Sequence, residues 1–265
     1  MKFSSITLTI FLGILAIDAC YIKKSRTDNN QYYNSNSLTY SSVYPASWDW
    51  GNINNTNFLT KNLNQHIPQY CGSCWAHGAV SALSDRIKIA RNARGLDINL
   101  AIQFILNCGV ESAGSCNGGD HYAAYEFISD YGSIPFDTCL AYEACSKDSS
   151  EKACQSRDYS CKPDNICRTC STFSYLGGKC KSIDNYPNAT IANYGRVSGY
   201  KNMQHEIYTN GPIACGINAN AILNYKGGIL DVPEESTDVD HIISITGWGY
   251  DKKTNTTPDI KPSKV

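Results

Sequence analysis

Cys74 follows Cys71-Gly72-Ser73 and is itself followed by Trp75-Ala76-His77. Behind it Trp75, Ala79, Val80, Leu83, Ile87 and Ala90 recur at helical spacing. That spacing predicts a helix opening at this cysteine and running to about Asn92, with Ser73 as its N-cap. A thiol in the first helical turn meets unpaired backbone N–H groups and the positive end of the helix dipole, and both favour the thiolate. The thiolate is the nucleophilic form of cysteine, so the chemistry expected is covalent catalysis. Taken alone, Cys71 and Cys74 also fit two structural half-cystines, a redox pair or half of a zinc site.

A thiol nucleophile needs a base. Of the five histidines, His241 is the best placed, because it heads a β-branched run to Thr246 that leads into Gly247-Trp248-Gly249. Adjacent Gly118 and Gly119 permit positive φ or the close approach of another chain, which suits a substrate strand lying over the backbone.

The elements that must position these groups are helical first and stranded later. Helices are expected over 99–107, 122–131 and 203–208, and strands over 213–217 and 241–246. This order argues for an α+β architecture in two lobes. Trp48 and Trp50, close to Pro45, read as core anchors. Between Cys139 and Cys180 seven cysteines fall within 42 residues with little apolar periodicity, so disulfides rather than core hold that region. Cys167 and Cys170 have metal-like spacing, but no histidines interleave with them and no metal or other cofactor is expected.

At 265 residues the chain is long enough for two lobes with a real core. A net charge of −1 points away from nucleic acid and from anionic membrane surfaces. Residues 1–19 read as a secretory signal: Lys2, an apolar run from Ile6 to Ile17, and Ala19 at the cleavage position. The run is too short for stable membrane insertion. Polar residues 20–44 read as a short pro-segment, and 45–265 as the folded domain. Thirteen cysteines behind a signal imply an oxidising compartment, and Asn54, Asn188 and Asn255 are glycosylation acceptors that fit that route.

The chain from Pro45 to Gly249 resembles the papain family of cysteine proteases, and within it the cathepsin X branch. The motifs that carry this are Trp48-Asp49-Trp50, the stretch from Asn64 to His77, and Gly114-Ser115-Cys116-Asn117-Gly118-Gly119. They continue through Glu206-Ile207-Tyr208-Thr209-Asn210-Gly211-Pro212-Ile213 and His241 to Ile245. The resemblance implies a helical left lobe and a β-barrel-like right lobe. It implies Cys74 as nucleophile, His241 as the base that forms an ion pair with it, and Gln65 as oxyanion donor. Such a pair would work at acidic to near-neutral pH. His241 stands 167 residues after Cys74, beyond the roughly 130–150 usual in the family; the cysteine-rich stretch accounts for the excess. The inserted His66-Ile67-Pro68 marks the branch, and His66 would receive the substrate's terminal carboxylate. That implies an exopeptidase removing single C-terminal residues, with Gly118 and Gly119 against the substrate. The resemblance also implies disulfides Cys71–Cys116, Cys108–Cys161, Cys139–Cys167 and Cys170–Cys180, leaving Cys145 and Cys154 to pair with each other. Cys20 could form a mixed disulfide with Cys74 in the zymogen. The implied partners are peptide or protein substrates with a free C-terminus and cystatin-like inhibitors, for a monomer in a lysosome, a vacuole or outside the cell.

After Gly249 the pattern departs. The family's Asn-Ser-Trp-Gly, whose Asn orients the catalytic imidazole, has no counterpart, and the polar tail to Val265 shows no strand pattern. Cys215 lacks the later cysteine with which the family would pair it. The expectation is a right lobe incomplete at the C-terminus, and either an impaired enzyme or a peptide-binding homologue as the alternative function.

Overall fold

The computed structural model describes residues 15–19, 44–226, 238–251 and 256–262. Cys20, Asn255 and most of residues 20–44 lie outside the described residues. In chain order the strands and α-helices are β1 (Leu15–Ala19), β2 (Trp48–Asp49), α1 (Cys74–Ala90), α2 (Ile102–Cys108), β3 (Gly114–Ser115), β4 (Gly118–Gly119), α3 (His121–Tyr131) and β5 (Ile134–Pro135). They continue as β6 (Arg168–Cys170), β7 (Cys180–Ser182), β8 (Asn188–Ala189), β9 (Asn193–Val197), α4 (Tyr200–Asn210), β10 (Ile213–Ile217), β11 (His241–Asp251) and β12 (Thr256–Pro262).

Two cores form two lobes. In the first, Trp75, Ala79, Val80, Leu83 and Ile87 of α1 pack against Phe104, Ile105 and Leu106 of α2 and Ala124, Tyr125 and Ile128 of α3. In the second, Trp50, Met203, Ile207, Ile213, Ile243, Ile245 and Trp248 pack beneath a sheet. That sheet has the order β12-β11-β10-β1-β9, with β2 on β11. It is open among the described residues, so the lobe is barrel-like in its order of strands but not closed. Strand β1, inside the stretch read as a signal, lies parallel to β9 and β10 in the uncleaved chain.

Local differences from the sequence reading have physical causes. Helix α2 starts later than expected because Leu100 bridges Phe136 and the Ala101 N–H bonds Pro135 O at 2.8 Å, which holds the chain extended up to the helix. The tail is not patternless: Thr256–Pro262 pairs antiparallel with β11. Its two prolines are tolerated because the strand sits at the sheet edge, where N–H groups need no partner strand. Helix α3 obeys its local signals, with the Asp120 carboxylate accepting the Ala123 N–H at 2.8 Å and Gly132 left-handed at φ 91°.

Five disulfides are present among the described residues: Cys71–Cys116, Cys108–Cys161, Cys139–Cys167, Cys145–Cys154 and Cys170–Cys180. Cys74 carries a free thiol, and Cys215 is buried outside these five pairs. No described helix is long and apolar enough to cross a membrane.

Helix α1 belongs to both lobes. Its far end is tied to the sheet lobe by Arg86, whose guanidinium meets Glu206 of α4 at 2.9 Å. The same side chain donates to Pro212 O at 2.8 Å and Gly211 O at 3.2 Å. Both side chains are buried, so each charge depends on the other for its solvation. Glu206→Leu should therefore destabilise the fold by about 3–5 kcal/mol, because it strands a buried guanidinium. Combining it with Arg86→Met should recover most of that loss in denaturant unfolding.

Candidate active site

Cys74 is the first residue of α1. The helix continues past it because Trp75 finds a fixed seat: its indole N–H donates to Ser115 O at 3.2 Å, and its ring lies against Gly119. A Cβ on Gly119 would stand 2.5 Å from that ring. Gly72 makes a second close approach, donating its N–H to Cys116 O at 2.7 Å, where a side chain would collide. The β3–β4 hairpin is thus pinned beside the start of α1, further fastened by Cys71–Cys116. Gly118 is exposed, at φ 120°, with open space where a Cβ would be.

Strand β11 approaches α1 one turn beyond the thiol. Gly78 permits this: a Cβ there would lie 2.7 Å from Ile242 Cγ2 and 3.4 Å from Ile243 O. The strand thereby sets its first residue, His241, next to the helix start, and the Ile242 N–H hydrogen-bonds the Cys74 thiol. Gly78 was not singled out in the sequence; its only signal was a glycine inside a strong helical pattern, which implies a packing reason.

Gln65 and His66 come from the loop before Cys71. Gln65 is buried, and its amide nitrogen lies 3.1 Å from His66 Nε2. The His66 ring stacks on Tyr70 with centroids 4.8 Å apart, and its Nδ1 accepts the Cys71 N–H at 3.5 Å. The His66 charge is felt at His241. The four residues Cys74, His241, Gln65 and His66 are therefore gathered around one helix start, with Gly118 alongside.

The electrostatics differ from the sequence expectation. Burial pushes the Cys74 thiol up, against the backbone N–H groups of Ile242, Trp75 and Cys74 itself, which pull it down. Burial likewise pushes the His241 imidazole down, opposed by nearby Asp240. Desolvation outweighs the helix terminus, so both shifts favour a neutral thiol and a neutral imidazole over a preformed ion pair. Among the described residues the His241 ring has no hydrogen-bond partner. Ser73 also departs from its expected role: its hydroxyl makes no cap bond and turns instead to Tyr142 and His77. Of the acceptor asparagines, Asn54 and Asn188 are exposed. Among the described residues no cluster of His, Cys, Asp or Glu is arranged to hold a metal ion.

A sequence model described as papain family cysteine protease matches residues 44–257. The chain belongs to the papain family of cysteine proteases. It is 43% identical over 211 residues to cathepsin Z of Onchocerca volvulus, covering 79% of this chain and 62% of that protein. It is 30% identical over 192 residues to cathepsin B-like cysteine proteinase 6 of Caenorhabditis elegans, covering 68% and 49%. The chain thus spans about half to 62% of the length of these relatives. Among solved structures, a digestive procathepsin L2 proteinase from Tenebrio molitor larval midgut aligns with a TM-score of 0.60 at 24% identity. That match covers 84% of this chain and 60% of the other, and establishes the papain-like fold alone.

Two measurements test this site. Gly78→Ala should cost about 1–3 kcal/mol of stability by overpacking the α1–β11 contact, read by denaturant unfolding. His77, three residues after Cys74, is buried and held down at about 4. Its folded value lies below its unfolded value of 6.5, so the unfolded chain takes up the proton first as pH falls. Stability from this group is full above pH 6.5 and is lost towards pH 4, on the order of 3 kcal/mol in all. His77→Gln should flatten that part of the pH dependence of the unfolding midpoint.

Proposed function

We propose that this chain acts as a cysteine-type carboxypeptidase that removes single residues from the C-terminus of peptides. The Cys74 sulfur, a neutral thiol at rest, would attack the carbonyl carbon of the last peptide bond as its proton passes to the neutral His241 imidazole. The oxyanion so formed would be met by the Gln65 side-chain amide and the Cys74 backbone N–H. Losing one such donor costs about 100–1,000-fold in rate. His241 then returns its proton to the leaving nitrogen, which departs with the C-terminal residue and leaves a thioester on Cys74. Water, deprotonated by His241, hydrolyses that thioester and restores the thiol.

The observation that carries the carboxypeptidase reading is the seat of His66. Its imidazole stands 3.1 Å from the Gln65 amide and is stacked on Tyr70 at the mouth of the site. With Nδ1 taking the Cys71 N–H, the ring's Nε2–H is the donor left for a terminal carboxylate, through a charge-assisted hydrogen bond. Ile67 beside it is exposed, and would stand where a longer chain has to pass. Gly118, with its open Cβ side, suits an extended substrate backbone.

Five disulfides among the described residues and the similarity to cathepsins support a secretory-pathway protein. We further propose a lysosomal, vacuolar or extracellular destination, with signal cleavage after Ala19. Cleavage there would detach β1 and leave β9 and β10 with unpaired edges.

A second reading, a homologue that binds peptides without turning them over, is favoured by the His241 ring, which finds no hydrogen-bond partner among the described residues. A pair of peptides differing only in a free or amidated C-terminus separates the possibilities. The carboxypeptidase should release one amino acid from the free form alone, and Cys74→Ser should abolish release. Internal cleavage of both peptides would sink the exopeptidase reading. Peptide binding with no Cys74-dependent labelling by a thiol-directed probe would favour the second.

A further inference from the structure

Beneath the start of α1 runs a chain of buried and half-buried polar groups that the reaction as proposed does not use. Tyr142 Oη lies 2.7 Å from Gln65 O and 2.7 Å from Ser73 Oγ. Ser73 Oγ lies 3.2 Å from His77 Nδ1, which is also 3.0 Å from Ser73 O.

The protons on this chain can be placed in only one order. A backbone carbonyl only accepts, so the Tyr142 hydroxyl donates to Gln65 O and has no second proton to give. The Ser73 hydroxyl must then donate to Tyr142 Oη. Its own lone pair is left to accept, together with Ser73 O, from the His77 Nδ1–H. That makes His77 the Nδ1–H tautomer with a bare Nε2, and Nε2 is buried with no partner among the described residues. The fit is independent: burial holds His77 down at about 4 and Tyr142 up at about 12, so neither titrates at working pH. Every donor runs in one direction, from α1 through Ser73 and Tyr142 to the carbonyl of Gln65.

We propose that Tyr142, with Ser73 and His77, is a positioning network that fixes Gln65 relative to the first turn of α1 and so sets the spacing of the two oxyanion donors. One donor is the Gln65 side-chain amide, and the other is the backbone N–H of Cys74, the residue after Ser73. Within this network, among the described residues, Tyr142 supplies the cross-link, because Ser73 and His77 share one helix start. Its place is held from both sides, since Cys139–Cys167 and Cys145–Cys154 bracket it. The His77 ring packs edge-on against the Tyr142 ring at 4.8 Å. This role rests on the cysteine-peptidase reading but not on its C-terminal specificity.

Three readouts on the full chain test it. Iodoacetamide alkylation of Cys74 needs the thiol but forms no oxyanion. A dipeptide aldehyde adds reversibly to Cys74 and puts its oxygen where the oxyanion would form. Peptide turnover needs both. Tyr142→Phe removes only the hydroxyl; it should lower kcat about tenfold and weaken the aldehyde about tenfold, the effect of one oriented hydrogen bond. KM and the alkylation rate should stay within twofold, and Ser73→Ala should act in the same direction. Unchanged aldehyde affinity, or a loss of alkylation in step with the other two, would overturn the positioning role. A chain that is alkylated and binds the aldehyde but releases no amino acid overturns the hydrolase reading, while the aldehyde comparison still decides this one.

Discussion

Everything at this site depends on how closely helix α1 lies against strand β11. The thiol is on the helix and the imidazole on the strand, 167 residues apart in sequence. Gly78 removes the side chain that would hold them apart. The buried Arg86–Glu206 pair fastens the same helix to the same lobe two turns further on. A glycine contact near the reacting end and an ion pair near the far end fix the helix in both position and angle. A buried pair contributes little net stability compared with apolar residues, so orientation between lobes is its better-supported use here.

The cysteine-rich stretch between 139 and 180 does a related job with different means. It has too little apolar periodicity to build a core, and four of the five disulfides involve it. Yet it is not merely an appendage. Gln103 of α2 donates to Cys145 O at 2.7 Å, and the Gln69 amide contacts Glu143 O and Ala144 O. The loop that carries Gln65 and His66 is thereby backed by a covalently held wall. Cross-links of this kind act largely by limiting the unfolded chain, which suits a segment that cannot bury enough surface to order itself.

Desolvation sets the chemistry. Cys74 and His241 both sit in surroundings that penalise charge, and this outweighs the helix terminus that would otherwise favour a thiolate. Both shifts consequently favour a neutral thiol and a neutral imidazole. The same burial fixes His77 and Tyr142 in single protonation states, which is what a rigid network requires.

While Gln65 and His66 stood out only through the family resemblance, the sequence alone marked a cysteine at a helix start and a histidine at the head of a strand. These are local signals, carried by residue type, short spacing and periodicity. It also determined the two-lobe order of helices and strands, and most helix and strand cores to within a few residues. It did not determine the open sheet or the edge strand β12, because pairing across a sheet depends on which backbones are left without partners. Nor did it reveal Gly78 as a contact, Ser73 as a link rather than a cap, or Tyr142 as anything but one of 18 tyrosines. Those roles are decided only in three dimensions, because a glycine matters by what approaches it and a hydroxyl by what lies within 3 Å, and neither is written in the neighbouring residues.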